Sequence, residues 1–214
     1  MKKSRAATFF AGATGVLVLA LFLSAAAAPP RMQTAAAPAS TAETILAVDP
    51  AQSTVHWTVD SSLHTVHGTF NIKSGRVHFD PATGKAGGEV VVFATSGDSG
   101  SDKRDTRMHK EILESAKYPE VVFRPSQVEG KVSPSGACDV KLHGTFSIHG
   151  AEHELVAPVH AELAKDHWKG TATFEVPYVE WGIKDPSNFL LKVKKVVNVE
   201  IDMSGPVQVA TAAK

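Results

Sequence analysis

Between residues 55 and 201 apolar side chains keep returning at every second position. Val55, Trp57 and Val59 alternate with His56 and Thr58, and Val66, Gly68, Phe70 and Ile72 alternate with His67, Thr69 and Asn71. The period continues through Val140, Leu142, Gly144, Phe146 and Ile148, then through Leu155, Ala157, Val159, Ala161 and Leu163. It returns in Trp168, Gly170, Ala172, Phe174 and Val176, and in Val193, Val197, Val199 and Ile201. Successive side chains of a strand point to opposite faces, so each stretch is predicted to be a strand with one apolar face. Turn-forming clusters separate them: DPATGKAGG at 80–88, EGKVSPSG at 129–136, HGAEH at 149–153, KDHWKG at 165–170 and KDPSN at 184–188. Seven or eight antiparallel strands so spaced predict an all-β sandwich or closed barrel.

One stretch breaks the period. In residues 102–115, DKRDTRMHKEILES, the residues Arg104, Met108 and Ile112 fall at helical spacing with Leu113 beside them, and Asp102 is available as a cap. A short helix is therefore predicted, ending before Tyr118-Pro119, with a strand resuming from Glu120 to Arg124. The phrase HGTFNI at 67–72 recurs as HGTFSI at 143–148. In both copies the glycine shares a face with phenylalanine and isoleucine, where it lets a strand bend and leaves interior space.

The first 28 residues are not expected to belong to the fold. Lys2, Lys3 and Arg5 precede an uncharged run from Ala6 to Leu23, and small residues follow, which reads as a cleaved export leader rather than a retained anchor. Residues 29–43, rich in Ala, Pro, Ser and Thr, are read as a flexible tether, 44–208 as one domain and 209–214 as a disordered tail. Without the three bases of the leader, 19 basic face 22 acidic side chains, a net charge near −3 that makes nucleic acid a poor partner. With Cys138 alone, no internal disulfide is available and the core must hold the domain.

Four blocks resemble, in order, the signature blocks of the YceI-like family: VHWTVDSSLHTVHGTF, RDTRMHKEILESAKYPEVVFRPSQV, LHGTFSIHGAEHEL and WGIKDPSNFLLKVKKVVNVEID. They cover nearly all of residues 48–204. The resemblance implies a lipocalin-like antiparallel β-barrel of about eight strands with one short α-helix, exported to the periplasm or beyond. It implies no cofactor, and non-catalytic binding, sequestration or transport of a polyisoprenoid, quinone-like or fatty-acyl amphiphile in an elongated hydrophobic tunnel. Transient contact with membranes or membrane redox proteins and pairing into a homodimer are further implications. Two departures bear on head-group preference: Lys194-Lys195 stands where many relatives are more acidic, and Leu190 follows Phe189 where glycine is common.

On this resemblance the tunnel is expected to be lined by Trp57, Val66, Phe70, Phe79, Phe93 and Phe123, and by Phe146, Phe174 and Val199. Met108, Ile112 and Leu113 are expected to close or gate one end, and a polar head would meet cations among Arg104, Arg107, Lys192 and Lys194. The competing reading is a closed, packed barrel acting as a stress or redox-partner interaction protein without a lipid.

Other chemistry is poorly supported. His64 with His67, and His143 with His149 and His153, form local clusters, but no HExxH or CxxC accompanies them and His67 and His143 fall on a polar face, so no metal site is assigned. No CxxCH attaches haem. Cys138, expected on the polar side of its strand, has no evident activating base, and Ser96 to Gly100 lacks the strand-elbow-helix setting of a nucleophile, so no catalytic residue is assigned. Asp102, Asp105 and Glu111 read as acids complementing a helix dipole.

Overall fold

The structure, a computed structural model, describes residues 43–133 and 135–210. The leader and nearly all of the tether lie outside these residues. Nine strands follow one another: β1 (Glu43–Val48), β2 (Thr54–Asp60), β3 (Thr65–Phe79), β4 (Ala86–Phe93), β5 (Glu120–Glu129), β6 (Gly136–Ile148), β7 (Ala151–Leu163), β8 (His167–Val176) and β9 (Val197–Ala210). The strand ends reach one residue before and two beyond the 44–208 span read from the sequence. The sheet runs β1-β3-β2-β9-β8-β7-β6-β5-β4 and is closed by β3 pairing with β4.

Nine strands fill eight barrel positions, because β1 and β2 share one. Both pair with β3 on one side and β9 on the other: β2 along Asn71 to Thr65 and Asp202 to Asn198, β1 along Phe79 to Gly75 and Ala210 to Val207. A single turn at Pro50–Gln52 separates them, its start capped by the Asp49 carboxylate, which accepts from Ala51 N at 3.0 Å. The break is sealed where Ser53 Oγ accepts from Ser204 N and Asp49 N donates to Ser204 O. Every strand pairing and core contact described falls in one compact unit, which lies within residues 39–214.

Strands β1 and β4 were not legible from period two. The run Glu89-Val90-Val91-Val92-Phe93 is apolar on both faces, and β4 begins at Ala86 within the expected turn cluster. The helix is shorter than the expected 102–115. Its α-helical part, α1, spans Asp102–Arg107, with Ser101 rather than Asp102 at the N-cap, and continues into a wider π turn over Met108–Ile112 that closes with Leu113 N donating to Met108 O at 2.8 Å.

Cys138 corrects another expectation. It is buried, because it keeps step with Val140 and Leu142 on the inner face of β6, where a thiol packs as a small hydrophobe. The neighbouring Asp139 takes the outer face and bonds His160.

The core forms two clusters. One, at the β1 end, joins Val48, Ile72, Val77, Cys138, Leu163 and Trp168, with the Trp168 indole donating to Ala47 O at 2.8 Å. The other joins Phe146, Leu155, Phe174, Val176, Tyr178 and Ile183 at the opposite end. The repeated phrase acquires a specific meaning here. Gly68 pairs with Trp57 across β2 and β3, and a Cβ on Gly68 would sit 2.4 Å from two atoms of the Trp57 indole. A Cβ on Gly144 would sit 2.7 Å from the Phe123 ring and 2.4 Å from the Arg124 carbonyl. Each glycine makes room for an aromatic ring laid over it from the adjacent strand, so the expected free space is occupied.

Gly68→Ala and Gly144→Ala are each expected to cost about 1–3 kcal/mol by overpacking. Urea unfolding should show a lower midpoint with an unchanged slope; a wild-type midpoint in either variant would refute the ring-over-glycine packing.

Candidate functional site

Inward side chains do not fill the β2 end of the barrel. A cavity of about 480 Å³ remains there. Its walls come from Val55, Trp57 and Val59 of β2, Val66 and Phe70 of β3, and Phe146 and Ile148 of β6. Phe174 and Val176 of β8, Val197, Val199 and Ile201 of β9, Val92 of β4 and Val121 of β5 complete them. All are apolar because they occupy the inner parity of their strands. The Trp57 indole nitrogen is buried with no hydrogen-bond partner among the described residues.

The cap over this cavity is polar on its outside and apolar beneath. From the helical segment Met108, Ile112 and Leu113 reach the cavity, with Arg104 and Arg107 beside them. From the loop between β8 and β9 come Tyr178, Ile183, Pro186, Leu191 and Val193, and from the turn after β2 come Ser61 and His64. Specific bonds hold these pieces. Arg107 donates to Pro186 O at 3.1 Å, Lys184 donates to Glu111 at 3.2 Å, and Val193 N donates to Ser187 Oγ at 2.9 Å. His109 spans Gly97 O at 2.9 Å and Ser115 Oγ at 3.1 Å.

Charges at the mouth are mostly committed. Arg104 donates to Ser99 Oγ at 2.7 Å and Ser99 O at 2.8 Å, anchoring the loop before α1. Beside it, partial burial pushes the Asp105 carboxyl up, but hydrogen bonds from Ser99 and the Ser101 backbone outweigh this and hold it below the ordinary carboxylate value. Lys103 reaches the cavity with no hydrogen-bond or ionic partner among the described residues. Tyr178 donates to Lys194 O at 3.0 Å, and burial pushes its phenol up to about 12.

A sequence profile of the YceI-like domain matches residues 46–205. The chain belongs to the YceI-like domain family. Among solved structures, the YceI-like barrel here is similar to BcnA of Burkholderia cenocepacia, with a TM-score of 0.60, 16% identity, and coverage of 74% of this chain and 99% of that one. It is also similar to a polyisoprenoid binding domain from Saccharophagus degradans implicated in plant cell wall breakdown, with a TM-score of 0.55 and 15% identity over 74% of this chain and 95% of the other. The Campylobacter jejuni YceI protein matches with a TM-score of 0.51 and 18% identity, over 64% and 83% of the two chains. At such identities the likeness establishes the fold. No curated protein sequence matches the chain.

The YceI-like barrel brings together most residues expected around a tunnel: Trp57, Val66, Phe70, Phe146, Phe174 and Val199 on the wall, and Met108, Ile112 and Leu113 in the cap. Three others fall elsewhere. Phe79 is buried at the end of β3, in register with Thr44 and Ala86 and away from the cavity. Phe93 points outward, 38% exposed under Lys73, because Val92 takes the inner parity opposite Ile72. Phe123 faces Phe146 across the ladder and packs over Gly144, off the cavity wall.

Of the expected head-group cations, Arg104 and Arg107 line the cavity but Lys192 and Lys194 do not; Lys194 donates to Asp60 at 2.7 Å. Sequence reasoning missed the loop lining from Tyr178 to Leu191, which follows no period, and Val193, expected in the last strand, lies in the loop before β9, held by an isolated bridge to Ser61. The useful signal was Tyr178, Ile183 and Leu191, apolar groups placed in an irregular segment that needed something to cover.

The histidines are dispersed. His67 Nδ1 meets Thr58 at 2.9 Å, His143 meets Glu129 at 2.8 Å, His149 meets Glu114 at 2.8 Å, and His153 stacks on Trp181 at 4.2 Å. No group of three metal-ligating side chains occurs among the described residues.

Because the Tyr178 phenol keeps its proton when folded to about pH 12 whereas an unfolded tyrosine loses it near pH 10, stability is intact below pH 10 and declines between the two values. Tyr178→Phe should remove this alkaline decline in pH-dependent urea unfolding. An identical decline in the variant would show that Tyr178 does not cause it.

Proposed function

We propose that this protein binds, without catalysis, a long-chain amphiphile of the polyisoprenoid, quinone-like or fatty-acyl class in the capped cavity of its barrel, sequestering or carrying it. The observation that carries this reading is the cavity of about 480 Å³ walled by apolar side chains with polar groups confined to one end. The volume lies within the range of small-molecule sites. The polyisoprenoid binding domain from Saccharophagus degradans, which shares the fold, supports the same class of ligand. A packed barrel acting only through its surface leaves such a cavity unexplained. The leader read from the sequence favours a carrier working outside the cytoplasm.

The energetics are adequate. At roughly 30 Å³ per heavy atom, the share of a water molecule in the liquid, the cavity holds about 16 atoms. Burying about fifteen methylenes gains roughly 12 kcal/mol at about 0.8 each, and association costs at least about 4. The difference, at most about 8 kcal/mol, corresponds to a ligand bound no tighter than about micromolar.

Native mass spectrometry of the chain from Ala39 onward, with a homologous series of fatty acids, tests this. Affinity should rise about fourfold per added methylene and level off near sixteen carbons, where the chain outgrows the cavity. Val199→Trp, which places an indole into the cavity, should weaken binding at least tenfold with an unchanged circular dichroism spectrum. Absence of uptake for both acyl and polyprenyl probes would sink the proposal.

A further inference from the structure

Five large apolar side chains stand exposed among the described residues, and three share one end of the barrel: Leu63 at 71%, Phe189 at 93% and Leu190 at 81%. They sit on two turns at the cavity mouth. Ser61 Oγ donates to His64 O at 2.7 Å and accepts from His64 N, which fixes Leu63 at the first turn's tip. Asn188 Oδ1 accepts from Leu190 N and Leu191 N at 2.9 and 2.8 Å, which fixes Phe189 and Leu190 at the tip of the second.

The two turns are joined: Ser62 N donates to Lys192 O at 2.8 Å, and Lys192 N donates to Ser62 Oγ at 3.1 Å. Each turn also sends inner residues to the cavity, Ser61 and His64 from one, Leu191 and Val193 from the other. The exposed apolar tips are thus rigidly presented and continuous with the cavity rim. Folded proteins rarely leave such side chains grouped in water without a partner.

Charge narrows the partner. Residues 184–195 contain four lysines and one aspartate, Asp185. Lys184 is paired with Glu111 and Lys194 with Asp60, while Lys192 and Lys195 have no ionic partner within 4.0 Å among the described residues. Lys103 stands at the same mouth. Apolar tips on a lysine-rich segment, where Lys192 and Lys195 have only Asp185 as a nearby acid, match an interface of anionic head groups over acyl chains, which takes the tips inward and the ammonium groups at the phosphate level.

We propose that the Leu63 and Phe189-Leu190 turns dock the barrel, cavity mouth first, onto an anionic lipid bilayer. The surface stands on its own residues; its purpose, transfer of a chain between bilayer and cavity, rests on the function proposed above.

Co-sedimentation of the chain from Ala39 onward with phosphatidylcholine vesicles, with and without phosphatidylglycerol, tests the docking. Uptake of a fluorescent fatty acid in vesicle-free solution is measured in parallel. The expected result is preferential binding to the mixed vesicles, weakened by salt. The triple variant L63S/F189S/L190S should lose at least about tenfold in partitioning, the effect of keeping even one such side chain out of the interface, while its fatty-acid uptake stays at wild-type level.

Equal sedimentation of the triple variant would overturn the docking surface. So would failure of the wild-type chain to bind mixed vesicles while it takes up the probe, or a wild-type dimer that the variant breaks, which would make a second copy the occupant. Vesicle binding lost in the variant, combined with no probe uptake by the wild type, would sustain the docking and remove the carrier function. If the triple variant does not unfold cooperatively, Phe189→Ser alone supplies the same comparison.

Discussion

A closed sheet has no free edge, and closure here depends on a single slot between β3 and β9 being filled twice. Neither β1 nor β2 spans the barrel, and the turn at Pro50–Gln52 lets one chain lie along the two halves of the same slot. That division propagates inward. Where β1 lies, Val48 joins Val77, Cys138, Leu163 and Trp168 in a filled core. Where β2 lies, Trp57 settles over Gly68 and the space beyond it stays empty. Both halves bury apolar area that stabilises the fold, through Trp168 and Val77 in one and Leu155 and Ile183 in the other, but only the β2 half leaves room for a site.

An apolar hollow of this size in water needs a cover, and the cover is made of chain with little regular structure. Its rigidity comes from bonds to fixed points. Arg107 and Lys184 tie helix to loop, and Tyr178 ties the loop to the chain entering β9. The helix exit is fastened separately. Glu114 and His149, the two non-glycine residues with positive φ among those described, at 46° and 52°, are hydrogen-bonded to each other, and Tyr118 packs on the His149 ring at 4.5 Å. His149 and Gly150 together form a two-residue hairpin turn of the kind that requires positive φ at both positions. The local strain at each residue is thus held by a contact with the other element.

Period two made most of the barrel legible, because a strand with one wet face and one buried face writes its environment into alternate letters. It failed where that contrast vanishes. In the Glu89 to Phe93 run both faces are apolar, so alternation does not tell which of Val92 and Phe93 faces inward. Cys138 differs: its parity matches Val140, and that match, not the polarity of a thiol, decides its inner face. The wall residues of the site were legible as inner-face residues, while the void was not, since a packed core and a hollow share one pattern. The helical part of the cap was legible in the spacing of Met108 and Ile112, but its loop part lay furthest from view. Its positions follow from side-chain to backbone bonds such as Ser187 to Val193, which obey no period.

The filled half has a consequence for how this architecture diversifies. A side chain bordering a void already lacks neighbours on one side, so trimming or enlarging it disturbs fewer packed atoms than the same change at Val77 or Trp168. Substitutions such as Val66 to leucine therefore reshape the hollow at small thermodynamic penalty, while the seam at Ser53 and Ser204 and the Trp168 anchor keep the scaffold intact. The shape of the hollow can thereby change without disturbing the packing that keeps the barrel folded.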